Sequence, residues 1–153
     1  MAREIGQFSW HQPAVVFDGT LFHMVFTAND DSNRILYATS LDGNREFNFV
    51  LGPDTNQTSS AAPALSIFQD QRFKLLVLVF VANDPSNRIL YSILDLNEDP
   101  NTRGWRYGGQ VGNESAQAVS TAVDPSGFVT SVFFIANDSS DRILWQGFTP
   151  FPQ

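Results

Sequence analysis

Three windows of the chain carry nearly the same polar hexad, Asn-Asp-x-Ser-(Asn/Asp)-Arg. Asn29, Asp30 and Arg34 recur as Asn83, Asp84 and Arg88, and again as Asn137, Asp138 and Arg142, at a spacing of 54 residues both times. Such a set offers hydrogen bonding to a hydroxyl-rich ligand. Amide and carboxylate oxygens accept, amide N–H groups donate, and a guanidinium forks across two acceptors. An aromatic ring nearby would cover the apolar face of a sugar, and Trp10, Tyr37, Tyr91, Trp105 and Trp145 are the candidates. The same residues also suit a turn that needs no ligand. Asp30 can close an Asx-turn onto Ser32, Asn33 can sit left-handed, and Arg34 can pair with Asp30. The leading Asn is the member that turn chemistry explains least.

Catalytic chemistry is less well served. A reaction needs one asymmetric constellation, and this chain offers three near-copies of one set. Glutamate is confined to Glu4, Glu46, Glu98 and Glu114, with none inside a hexad. His23 falls in a strand and reads as a packed residue, while His11, in a loop, is a ligand-contact candidate. The segment Asp95-Leu-Asn-Glu-Asp-Pro-Asn101 alternates oxygen ligands as a calcium loop begins, but Pro100 takes the place of the glycine and the distal Glu is missing. A solvated loop is the expectation there, with no metal or other cofactor and no enzymatic activity.

The elements that must position these residues follow from the repeat. The windows 25–37, 79–91 and 133–145 share eight of 13 positions in all three copies, while the flanking sequence has drifted. Within the first copy, apolar runs at 14–17, 21–28, 34–40 and 47–51 are separated by Asp18-Gly19, by the hexad and by Asp42-Gly43-Asn44. This is strand-and-turn punctuation, with no sustained helical period. The pattern predicts an all-β protein of three four-stranded units, at 7–54, 55–112 and 113–153, with residues 1–6 completing a unit. The second and third strands of each unit are apolar nearly throughout, which means burial on both faces of a sheet. That favours the stacked blades of a β-propeller over the alternative, a β-trefoil, whose barrel would show cleaner alternation.

Ser40-Leu-Asp-Gly-Asn-Arg-Glu-Phe47 resembles the Asp-box of sialidase-type propellers, and lies between third and fourth strands as that box does. The resemblance implies a blade layout and carries no catalytic residues. In sialidases the arginine triad comes from non-equivalent positions, unlike Arg34, Arg88 and Arg142. Three blades do not close a propeller, which takes roughly 4–8. The plan is similar to that of fucose-binding lectins whose short tandem-blade chains close by oligomerisation. It implies a homodimer forming a six-bladed ring, in which the N-terminal segment completes the partner's third blade.

Composition narrows the function further. The net charge is −7, with 16 acidic against nine basic residues. That excludes the electrostatic footprint of a nucleic-acid binder and disfavours anionic membranes. Cysteine is absent, which removes disulfides, thiolate metal sites and thiol nucleophiles. The N-terminus lacks an apolar h-region, so the expected location is the cytoplasm, or outside the cell by a route without a classical signal peptide. Three Asn-x-Ser/Thr matches, at Asn56, Asn113 and Asn137, are expected to be chance occurrences. The expected function is a multivalent lectin with equivalent sites on one rim. The alternatives are an interaction or structural module, and less favourably a glycoside-processing enzyme.

Overall fold

The computed structural model describes residues 5, 7–41, 47–115, 117–124 and 129–151. They form three antiparallel sheets of four, four and three strands. The first holds β1 (Ala14–Phe17), β2 (Phe22–Thr27), β3 (Ile35–Ser40) and β4 (Val50–Leu51). The second holds β5 (Ala64–Gln69), β6 (Lys74–Val81), β7 (Arg88–Asp95) and β8 (Arg106–Glu114). The third holds β9 (Ser120–Val123), β10 (Thr130–Ile135) and β11 (Ile143–Phe148). Each is a simple meander, its strands hydrogen-bonded in chain order through connecting sequences rich in Asp, Asn, Gly or Ser. The unit boundary expected at residue 112 falls inside β8, which runs on to Glu114. Residues 42–46, most of the Asp-box-like segment, lie outside the described residues. Among the described residues no helix is long and apolar enough to cross a membrane.

Register shows how faithfully the repeat is built. Val25 pairs with Tyr37, Val79 with Tyr91, and Phe133 with Trp145, so the three windows fold as the same hairpin. Fourth strands follow the same rule: Thr39 pairs with Val50 and Ile93 with Arg106. Phe49 therefore stands in the first sheet where Trp105 stands in the second, two residues beyond Phe47, the position the Asp-box comparison pointed to.

The second sheet is sandwiched. One of its faces packs Leu76, Leu78, Phe80 and Leu94 against Val25, Ile35 and Tyr37 of the first sheet. The other packs Val77, Val79, Ile89 and Tyr91 against Val132 and Phe134 of the third. This is why β6 is apolar at every position after Lys74 and buried at every one of them. β1 and β9 instead alternate between half-buried and exposed positions. The three first strands gather around one cavity of 320 Å³, lined by residues 12–15, 62–65 and 118–121.

Candidate polar rim and inter-sheet pocket

The three hexads occupy the β2–β3, β6–β7 and β10–β11 loops, all built alike. Asp30 Oδ1 accepts from Ser32 N at 2.9 Å and from Ser32 Oγ. The same pair of bonds joins Asp84 to Ser86 and Asp138 to Ser140. The next residue is left-handed in each copy, with φ of 55° at Asn33, 52° at Asn87 and 53° at Asp141. Asn and Asp tolerate that conformation better than other side chains. The chain then returns, and Ala28, Ala82 and Ala136 donate their N–H to the carbonyls of Arg34, Arg88 and Arg142. Each Arg folds back on its own loop. Arg88 Nη2 lies 3.3 Å from Asp84 Oδ2 and Arg142 Nη2 lies 3.0 Å from Asp138 Oδ2, while the Arg34–Asp30 approach is looser at 3.7 Å.

Hydrogen bonds from Ser32, Ser86 and Ser140 and the paired Arg lower the carboxyl pKa of Asp30, Asp84 and Asp138. All three are ionised near neutrality and serve as acceptors.

The leading Asn has a partner the sequence did not suggest. Asn83 Oδ1 accepts from Asn33 Nδ2 of the first sheet at 3.2 Å, and Asn137 Oδ1 accepts from Asn87 Nδ2 of the second at 3.4 Å. Each Asn therefore ties its loop to the left-handed residue of the preceding sheet.

The loops entering β1, β5 and β9 lie beside the hexads through bridges Ser9–Ala28, Ser59–Ala82 and Ser115–Ala136. Trp10, at the first of these, is 64% exposed, and Trp145 is 67% exposed. Tyr37, Tyr91 and Trp105 present no ring face to solvent. They are core residues, with Tyr37 edge-on to Trp105 at 5.3 Å and Tyr91 against Phe148 at 4.6 Å between ring centres. Glycine makes room for the two tyrosines: a Cβ at Gly52 would come within 2.7 Å of the Tyr37 ring, and one at Gly108 within 2.0 Å of Tyr91.

Where the second sheet meets the third, the rim opens into a pocket of 340 Å³. Its polar lining comes from Gln110, Asn113 and Glu114 of β8 and from Asn137 and Asp138, over an apolar floor that includes Leu144. Glu114 Oε2 accepts from Asn137 Nδ2 at 3.0 Å. No hexad contains a Glu, but the fold brings Glu114 beside one. Glu114 is 23 residues from Asn137 in sequence, but β8 runs alongside the next repeat's loop. The 54-residue period would match Thr58 with Gly112, so it is the strand pairing that puts Thr58 and Glu114 at matching places opposite Arg34 and Arg88.

His23 is buried as expected, but it is partnered. Its Nδ1 is 2.8 Å from Tyr37 Oη and its Nε2 is 2.8 Å from Asp18 Oδ2. Burial alone would raise the Asp18 carboxyl. Donors at Leu21 N, His23 and Thr20 N outweigh it and bring the pKa to about 2. Desolvation lowers the His23 pKa despite Asp18, and burial pushes Tyr37 up to about 12. The consistent arrangement is Tyr37 O–H donating to a neutral His23, whose Nε2–H donates to Asp18. Lys74 of the second sheet caps the set by donating to Asp18 O at 2.7 Å. His23 has no exposed surface, so the chain of bonds is an inter-sheet latch with no access for a substrate. His11, half-buried, is held by its backbone: its N–H donates to Thr27 Oγ1 at 3.2 Å.

The Asp95–Asn101 loop uses two of its carboxylates on turns, with Asp95 accepting from Asn97 N and Asp99 from Asn101 N, each at 2.9 Å. Among the described residues no group of three or more His, Asp or Glu side chains is arranged to hold a metal ion. No family model matches the chain, and no curated protein matches it either.

Proposed function

We propose that the chain is a carbohydrate-binding protein whose three sheets are blades of a β-propeller, with its main site in the pocket between the second and third blades. The observation that carries this reading is that pocket. Its 340 Å³ volume and its lining of Glu114, Asn137, Asp138, Asn113 and Gln110 suit one sugar residue. Carboxylate and amide oxygens there accept from vicinal hydroxyls, amide groups donate, and the side chain of Leu144 meets the ring's apolar face. Two carboxylates in one pocket select a neutral sugar over an acidic one. Asp138 is held ionised by Ser140 and Arg142 and serves in the pocket as a hydrogen-bond acceptor. Trp10 offers an exposed ring on the same rim as the first hexad. Repetition along the rim would add avidity to weak single sites.

The test is a glycan array followed by calorimetry with Glu114→Ala. Neutral glycans are expected to bind, and the variant to lose at least about tenfold in affinity with its melting temperature unchanged. An array blank for neutral sugars, or full affinity in the variant, refutes the proposal.

A second reading, a structural or interaction module, is favoured by one observation. Asp84, Ser86 and Arg88 satisfy one another, and Asn83 links two sheets. The double variant Asn83→Ala, Arg88→Ala separates the readings. A collapse in melting temperature with no change in glycan binding supports the module, and retained stability with weaker binding supports the lectin.

A further inference from the structure

The pocket between the second and third sheets is a place where the repeat departs from itself. Thr58 and Glu114 hold matching places opposite Arg34 and Arg88, so one junction carries a hydroxyl where the next carries a carboxylate. Two residues earlier the chain is left-handed in both, with φ of 54° at Asn56 and 97° at Gly112. Gly112 lines the pocket, and a Cβ on it would come within 3.3 Å of Gln146 Nε2. Gln146 stands where the earlier copies have Ser92 and Ala38. These changes depend on one another. The absent side chain at 112 leaves room for Gln146, and Gln146 Oε1 accepts from Asn113 Nδ2.

Hydrogen-bond accounting then shows what the pocket lacks. The amide nitrogen of Asn113 is engaged by Gln146, and that of Asn137 by Glu114 Oε2 at 3.0 Å. Arg142 Nη2 is committed to Asp138 Oδ2, also at 3.0 Å. Arg88, the cross-strand neighbour of Glu114, is spent on its own loop. Its Nε donates to Ser86 Oγ at 2.9 Å and its Nη2 to Asp84 Oδ2 at 3.3 Å. Among the described residues Glu114 has no ion-pair partner. The groups left for a ligand are therefore chiefly acceptors, the Glu114 carboxylate and Asn113 Oδ1, beside the apolar side chain of Leu144.

We propose that the ligand of this pocket is an amino sugar, a hexose carrying a protonated primary amine, an inference that rests on the carbohydrate-binding reading above. An ammonium group brings three donors and no acceptor, which is the complement of such a lining. Its bond to Glu114 is charge-assisted at both ends. A hydroxyl in the same place brings one donor without charge. An N-acetyl group brings one N–H and adds a carbonyl that finds few free donors.

The test is calorimetry near pH 7, where an aliphatic amine is largely protonated. Glucose, galactose and mannose are each titrated beside their 2-amino and 2-acetamido forms. At least one 2-amino sugar is expected to bind about tenfold more tightly than its parent and its acetamido form. That preference is expected to shrink as salt is added. Glu114→Gln, a change at an exposed position, is expected to bring the amino sugar and its parent to the same affinity. Equal affinity of amino and parent sugars in the wild type, or tighter binding of the acetamido form, overturns the inference and leaves the carbohydrate-binding reading standing. Binding of none of the three forms overturns both. A preference that survives Glu114→Gln overturns the role given to Glu114.

Discussion

Ile89 and Ile143 sit in the same motif, one residue after the same arginine, at the start of the same strand of successive sheets. One is fully buried and the other is 75% exposed. Val79 and Phe133 repeat the contrast across the hairpin, at 0% and 42%. The second and third sheets therefore share a local fold and differ in their neighbours. The difference separates two roles of the repeat. The hexad and its register are made within each unit from contacts a few residues apart, so they survive in the third sheet unchanged. The apolar faces are useful only against another sheet, and among the described residues none covers the third sheet's outer face.

The contrast can be broken most severely in the middle of the molecule. Ile89→Ala leaves a cavity between two packed sheets and is expected to cost about 2–5 kcal/mol in denaturant unfolding. Ile143→Ala, at an exposed position, should show little cost by the same measurement.

Next in size is the latch between the first and second sheets, whose histidine the later copies do not repeat. Val77 and Ser131 stand where His23 stands in the first copy. His23→Ala removes one partner from the Tyr37 hydroxyl and one from Asp18 Oδ2, at about 1–3 kcal/mol. The latch also sets a pH dependence. The folded pKa of His23 lies below 6.5, so the unfolded chain takes up the proton first as pH falls. Stability should therefore decline below pH 6.5, and His23→Ala should flatten that slope in urea melts. The Asp18 contribution is complete above pH 3.8 and is lost as pH falls through about 2.

Asn83→Ala, which removes one tie between rim loops, is expected to cost about 1 kcal/mol or less. The smallest effect belongs to Asp84→Asn. Its ion pair with Arg88 is solvent-exposed, and the melting temperature should barely move.

Much of this was legible from residues alone. The Asx-turn at Asp30, the left-handed Asn33 and the Arg34 pairing follow from local chemistry, and all three are present. The strand runs were legible because β-branched and aromatic segments alternate with turn residues. The aromatic residues misled for a physical reason. A ring at Tyr37, Tyr91 or Trp105 serves equally as a sugar platform or as a core residue, and only the position of the next sheet chooses between them. Glu114 was missed because its partner Asn137 belongs to the following unit. The role of Asn83 was missed in the same way, since its partner lies 50 residues away.

The sequence by itself determined the three units, their hairpins and the closed chemistry of each rim loop, because those depend on contacts within a few residues. Only the tertiary structure decided which copies of an identical position are core and which are surface. It also decided which polar groups converge on one pocket and which Asn joins which loop. Those are properties of packed neighbours, and a 54-residue repeat specifies the same face three times without saying what will cover it.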